Sequence, residues 1–153
     1  MTHHLRRQIR DAAVAALIGQ NPVFDVYPSR RIPLSPDKLP AWCVYTISED
    51  ASLETIGPNA HIERSLELAC EGIVQAPAAE TFRLDDVLDD MAILCESRLS
   101  ADPTLGGIAR YLVLQSTRIG LQGSVNGDVP TGSIVLTFRV IYRTRMTDPT
   151  TIN

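Results

Sequence analysis

The chain has 153 residues, a formal net charge of −4, 44% hydrophobic residues and 21% charged residues. That length predicts one domain, which on folding buries roughly 70% of the surface of the unfolded chain, enough to fold without staples. The composition excludes a disordered chain, a collagen-like repeat and a disulfide scaffold. The mild acidity argues against a dedicated nucleic-acid-binding domain, which carries a basic surface.

The first predicted element is an amphipathic helix over about Thr2 to Ile18. Leu5, Ile9, Ala12, Ala13, Ala16 and Leu17 fall at helical spacing. Thr2 can cap it, and Gly19 followed by Pro22 stops it. Arg6, Arg7 and Arg10 before the apolar run Ala12 to Ile18 superficially resemble a signal peptide. The run is short, Asp11 abuts it, and one helix face already explains it, so export is not expected.

Val23 to Tyr27 alternates and predicts a short strand. Pro28, Pro33, Pro36 and Pro40 then punctuate an irregular loop that holds Arg30 and Arg31. Ala41 to Ser48, rich in aromatic and β-branched residues, predicts a strand. Glu49 to Asn59, which includes Asp50 and Glu54, predicts a polar connection turning at Gly57-Pro58. Ala60 to Val74 is the longest strand candidate. Ile62, Leu66, Leu68, Cys70 and Val74 share one parity, and Glu63, Ser65, Glu67 and Glu71 the other. Fully extended it spans about 50 Å, against a radius of gyration of about 15 Å for the whole domain. It is therefore expected to project with its neighbour as a hairpin arm, or to bend at Gly72.

Ala79 to Ala101 predicts a second helix, with Leu84, Val87, Leu88, Met91, Leu94, Cys95 and Leu99 on one face. Asp102-Pro103 and Gly106-Gly107 end it. Tyr111 to Ile119 predicts a strand with Leu112, Leu114, Ser116 and Arg118 on one parity. After a loop over Gly120 to Gly132, a last strand alternates Ile134, Leu136, Phe138, Val140 and Tyr142 with Val135, Thr137, Arg139, Ile141 and Arg143. Thr147 to Asn153 reads as a frayed tail. The expected order is α-β-β-β-α-β-β, an α+β two-layer domain with a mainly antiparallel sheet packed by two helices. Residues 1–146 form the domain and 147–153 a flexible tail. No stretch approaches the roughly eighteen apolar residues that cross a membrane.

Cys43, Cys70 and Cys95 are widely spaced, and an odd count suits small buried hydrophobes in a reducing compartment. Adjacent His3 and His4 do not share a helix face and make a poor metal pair. His61 reads as a surface histidine. Asp85, Asp86, Asp89 and Asp90 form the strongest charge cluster, at i, i+4 spacing in the first half of the second helix. That position suits a solvated face favoured by the helix dipole. A weak divalent-cation site is the sharper alternative, but the ligand loop of an EF-hand is missing. The chain holds no nucleophile elbow, Walker loop or zinc-protease motif. No catalytic residue, metal or cofactor is therefore expected. Arg30 and Arg31 in the proline-rich loop, with Arg139, Arg143 and Arg145 on or after the last strand, read either as solubilising charge or as groups facing an acidic partner.

The succession "VYPSRRIPL", "LPAWCVYT", "RSLELACEGIV", "ADPTLGG" and "IVLTFRVIYRT" behind an amphipathic helix resembles the tail terminator (tail completion) proteins of long-tailed bacteriophages, the minor tail protein U-like group. The resemblance runs from about Leu5 to Thr144 and rests on element order and short stretches. It implies a hexameric ring on the head-proximal end of the tail tube that stops tube polymerisation and receives the head's connector proteins. Its implied partners are copies of itself, the tail tube protein and the head–tail connector, with DNA only passing through the lumen. The implied location is the virion neck, after assembly in the host cytoplasm. Glu49, Asp50, Glu54, Arg30, Arg31, Arg139 and Arg143 are then candidate interface residues, and the four aspartates of the second helix a candidate lumen or acidic face. The alternatives are a head-completion or connector-adaptor ring of the same neck, and, in a different class, a small α+β ligand-binding domain.

Overall fold

The computed structural model describes residues 2–19, 24–29, 38–75, 83–122 and 130–153. Helix α1 spans Leu5–Leu17, with Leu5, Ile9, Ala13, Val14 and Leu17 buried. It starts later than expected. His4, not Thr2, is the cap, and its Nδ1 accepts from the Arg6 N–H at 3.1 Å. Gly19, at φ +77°, takes the left-handed conformation that ends the helix.

The strands are β1 (Asp25–Tyr27), β2 (Ala41–Leu53), β3 (His61–Gln75), β4 (Tyr111–Gln122), β5 (Thr131–Arg145) and β6 (Asp148–Ile152), with helix α2 (Leu84–Ala101) between β3 and β4. They form one sheet in the order β1-β2-β3-β5-β4, with β6 also pairing β5. β1 runs parallel to β2, and the remaining pairs are antiparallel. β5 therefore inserts between β3 and β4, which flank it in parallel after the α2 crossover. The α+β two-layer reading holds. Helix α2 begins at Leu84 after an extended Arg83, and residues 79–82 lie outside the described residues.

Both helices cover one face of the sheet, called here the inner face. Trp42, Val44, Leu66, Leu68, Cys70, Ile134, Leu136, Phe138 and Val140 line it in one cluster with the apolar stripes of α1 and α2. Each fully buried side chain of this size contributes about 1.5–3 kcal/mol. Gly72 interrupts no pairing, since β3 is matched to β5 without a break from His61 to Gln75. Its role is spatial: a Cβ there would sit 3.0 Å from Met91 Cε and 3.1 Å from Trp42 Cζ3. At its tip the β2–β3 hairpin has β5 as a third strand, with His61 opposite Arg145.

Two irregularities change which face later residues occupy. A bulge between Thr46 and Glu49 resets β2, so that Glu49 lies opposite Leu66 on the inner face. A second, between Leu114 and Ser116, turns Ser116 and Arg118 to the outer face, away from Leu112 and Leu114. The single parity expected for those four residues does not hold.

The C-terminal segment read as a frayed tail is strand β6. Thr144 pairs Ile152 and Arg145 pairs Asp148. The Asp148 carboxylate accepts from the Thr150 N–H at 2.9 Å and the Thr151 hydroxyl at 2.8 Å, and Gln8 of α1 donates to the Thr150 carbonyl at 2.9 Å. The polar sequence carries no apolar alternation. Its order comes from backbone pairing to the stretch of β5 beyond the start of β4. Among the described residues no helix is long and apolar enough to cross a membrane.

The "ADPTLGG" stretch is a tight turn after α2. The Asp102 carboxylate accepts from the Thr104 hydroxyl at 2.6 Å and the Gly106 N–H at 2.6 Å. These bonds hold its pKa below the ordinary carboxylate value, the Thr104 hydroxyl foremost. They brace three successive left-handed residues, Leu105, Gly106 and Gly107.

Candidate functional site

Charge is distributed unequally over the two sheet faces. On the inner face, past the reach of the apolar helix stripes, the bulge carries Glu49 into a nearly closed position, its side chain 7% exposed. Arg64 of β3 meets it at 2.7 Å, and Arg6 of α1 reaches it from above at 3.4 Å. The Tyr142 hydroxyl donates to its second oxygen. Arg64 also donates from Nε to the buried Thr144 hydroxyl at 3.1 Å. Burial, and then the bond to Glu49, push the Tyr142 phenol above its ordinary pKa, so it stays a donor. Burial and the neighbouring Arg6 hold His4 below its ordinary value, which keeps the ring neutral for its capping role. Glu49, expected in a polar connection, is thus a structural anion that ties α1 to β3 and β5.

A second charged group closes the tip of the hairpin. Glu54 lies 2.6 Å from Arg143 Nε and 3.4 Å from Arg110, which is itself 3.0 Å from Glu63. Arg143 also lies 3.0 Å from His61 Nδ1, and the His61 backbone N–H donates to the Thr55 hydroxyl at 2.8 Å. His61 is therefore half-buried in this group. These pairs are partly open to solvent, and exposed pairs of this kind contribute about 0–1 kcal/mol each.

The outer face carries no helix among the described residues. On β3, Glu67 accepts from Ser48 at 2.9 Å and Glu71 from Tyr45 at 3.1 Å. The β4–β5 half is different. Tyr111, Val113, Ser116, Arg118, Val135, Thr137, Arg139 and Ile141 face outward there with no acidic residue among them. A groove runs along this boundary, lined by Tyr45, Ile47, Glu67, Arg118, Val135 and Thr137. Arg118 and Arg139 are exposed and form no ion pair with a described residue.

On the far side of the molecule, Asp85, Asp86, Asp89 and Asp90 are all exposed along α2. Asp86 pairs with Arg83 at 3.2 Å. The solvated-face reading fits this placement, with Asp85 and Asp86 in the first turn where the helix dipole favours them. Asp50 is exposed next to Glu49 and points to the opposite side. Arg30 and Arg31 lie outside the described residues. Of the expected interface residues, the structure joins Glu54 to Arg143, withdraws Glu49 inward and leaves Asp50 and Arg139 on the open face. Sequence reasoning missed Arg64 and Tyr142 as partners of Glu49. The available signal was Arg64 itself, a lone arginine on the apolar parity of its strand.

The three cysteines are free and buried. The Cys70 thiol of β3 beside Cys95 of α2, together with burial, pushes the Cys95 thiol upward and away from reactivity. Among the described residues no cluster of three or more His, Cys, Asp or Glu is arranged to hold a metal ion. The sequence matches no protein-family model, and no curated protein matches it.

Proposed function

We propose that this chain is a non-catalytic assembly subunit that acts as a phage tail terminator. It closes into a hexameric ring on the head-proximal end of a tail tube, ends tube growth and presents the surface that receives the head's connector. The observation that carries this reading is the one-sided packing of the sheet. Among the described residues both helices lie on one face, and the other face carries no helix and holds two arginines without an ion-pair partner. A head-to-tail ring needs two unlike patches on every subunit, and this fold offers them on opposite sides. The order of elements as far as β5 supports the reading as well, since it follows the succession on which the tail-terminator resemblance rests; β6 is an addition to it. A chain of net charge −4 also suits a lumen through which DNA slides without being held.

The test is light-scattering mass over a concentration series, alone and with purified tail tubes, with negative-stain images of the largest species. The expected result is a sixfold ring near 101 kDa, from copies of 16.8 kDa, that binds tube ends. A monomer under every condition, tubes included, overturns the reading. A ring that binds portal-side adaptors and ignores tubes reassigns it to the neighbouring neck position. Specific thermal stabilisation by a metabolite without any ring reassigns it to a ligand-binding domain.

A further inference from the structure

We propose that the β4–β5 half of the outer sheet face receives helix α2 of a second copy of this chain, with Asp85, Asp86, Asp89 and Asp90 of one copy set against Arg118 and Arg139 of the next. The inference rests on the ring reading for its need of self-contact and adds which surfaces meet.

Charge complementarity carries it. This half of the face presents two arginines without an ion-pair partner among the described residues and no outward acid. The exposed side of α2 presents four aspartates, of which only Asp86 is ion-paired among the described residues, to Arg83. The two surfaces lie on opposite sides of the same sheet, so within one chain they never meet. Between copies they meet head to tail, the arrangement that closes a ring.

The apolar pattern matches the charge pattern. Ile93 lies one helical turn after Asp89 and Asp90 and is 65% exposed. The facing half of the sheet exposes Val113 at 49% and Tyr111 at 48%, beside Arg139 and Ile141 in register. An apolar centre ringed by charge is the usual anatomy of a protein interface. The dimensions agree too. The aspartates span about 8 Å of helix axis. Arg118 and Arg139 sit one strand and four residues apart, about 14 Å at Cα, a difference that flexible arginine stems cover. β3 limits the footprint, because Glu67, opposite Arg139 in register, and Glu71 border the contact and would repel the helix if it lay further over.

The test uses two variants of the full chain, D89R/D90R and R118D/R139D. All four positions are exposed, so both are expected to fold, as circular dichroism and thermal melting would show. Each variant alone should self-associate roughly a hundredfold more weakly than wild type, because like charges then face each other. An equimolar mixture should recover association, since each variant's helix then suits the other's sheet and an even-numbered ring can alternate them. Folded variants that associate like wild type, or a mixture that fails to recover, overturn the contact. Wild-type rings indifferent to all four substitutions would overturn the contact and leave the ring reading intact. A wild type that never associates, alone or on tail tubes, overturns both.

Discussion

Glu49 and Asp50 are chemically similar neighbours on one strand, and they live in different regions of the molecule. Glu49 points under α1 into a network with Arg64, Arg6 and Tyr142. Asp50 points outward to solvent from the opposite side of β2. The two faces as wholes differ in the same way. Charge on the inner face is committed to holding elements together, whereas much of the charge on the outer face remains available to another molecule. A carboxylate's role here follows from the face its strand register assigns, not from its local sequence.

The largest effect expected from breaking this division lies in the apolar part of the inner face. Trp42→Ala should cost about 4 kcal/mol, the range for emptying a large buried aromatic site, measured by urea denaturation. Glu49→Ala should cost about 3 kcal/mol, because it strands the half-closed Arg64 without its counter-charge. Asp50→Ala beside it should stay within about 0.5 kcal/mol of wild type, as should Arg139→Ala, both being solvent-facing. Equal losses at positions 49 and 50 would refute the assignment of the two residues to opposite faces.

The pH dependence of the α1 cap sharpens the same point. His4 has a folded-state pKa below its ordinary value of 6.5. As pH falls through that ordinary value, the unfolded chain takes up a proton before the folded chain does. Stability is therefore fully present above about 6.5 and is lost as pH falls toward the folded pKa. Melting temperature between about pH 8 and pH 5 should show this slope in wild type. His4→Ser, which puts a capping oxygen in place of the ring nitrogen and removes the titration, should flatten it. Asp102 and Asp148 are also shifted downward, but their contributions are lost only below the ordinary carboxylate range and do not overlap this window.

Much of the architecture was legible in the chain. Alternation along β3 and β5 and the helical stripe of α1 named the core correctly, because period two and period 3.6 are local consequences of backbone geometry. The buried state of all three cysteines followed from the same apolar segments. The candidate site was less legible. Glu49 reads as a loop residue, and Arg118 reads as sharing a face with Leu112, because each bulge adds one residue that no periodicity announces.

The element types and their order as far as β5, and the apolar faces that had to be covered, are written in the chain, since these depend on residues a few positions apart. That β5 enters between β3 and β4, that the C-terminal residues pair with β5, and that Glu49 turns inward while Arg118 turns outward came from the folded sheet. Those outcomes depend on strands distant in sequence competing for the same backbone hydrogen bonds. Each one is settled by which partner is present across the sheet, not by the residues next to it in the chain.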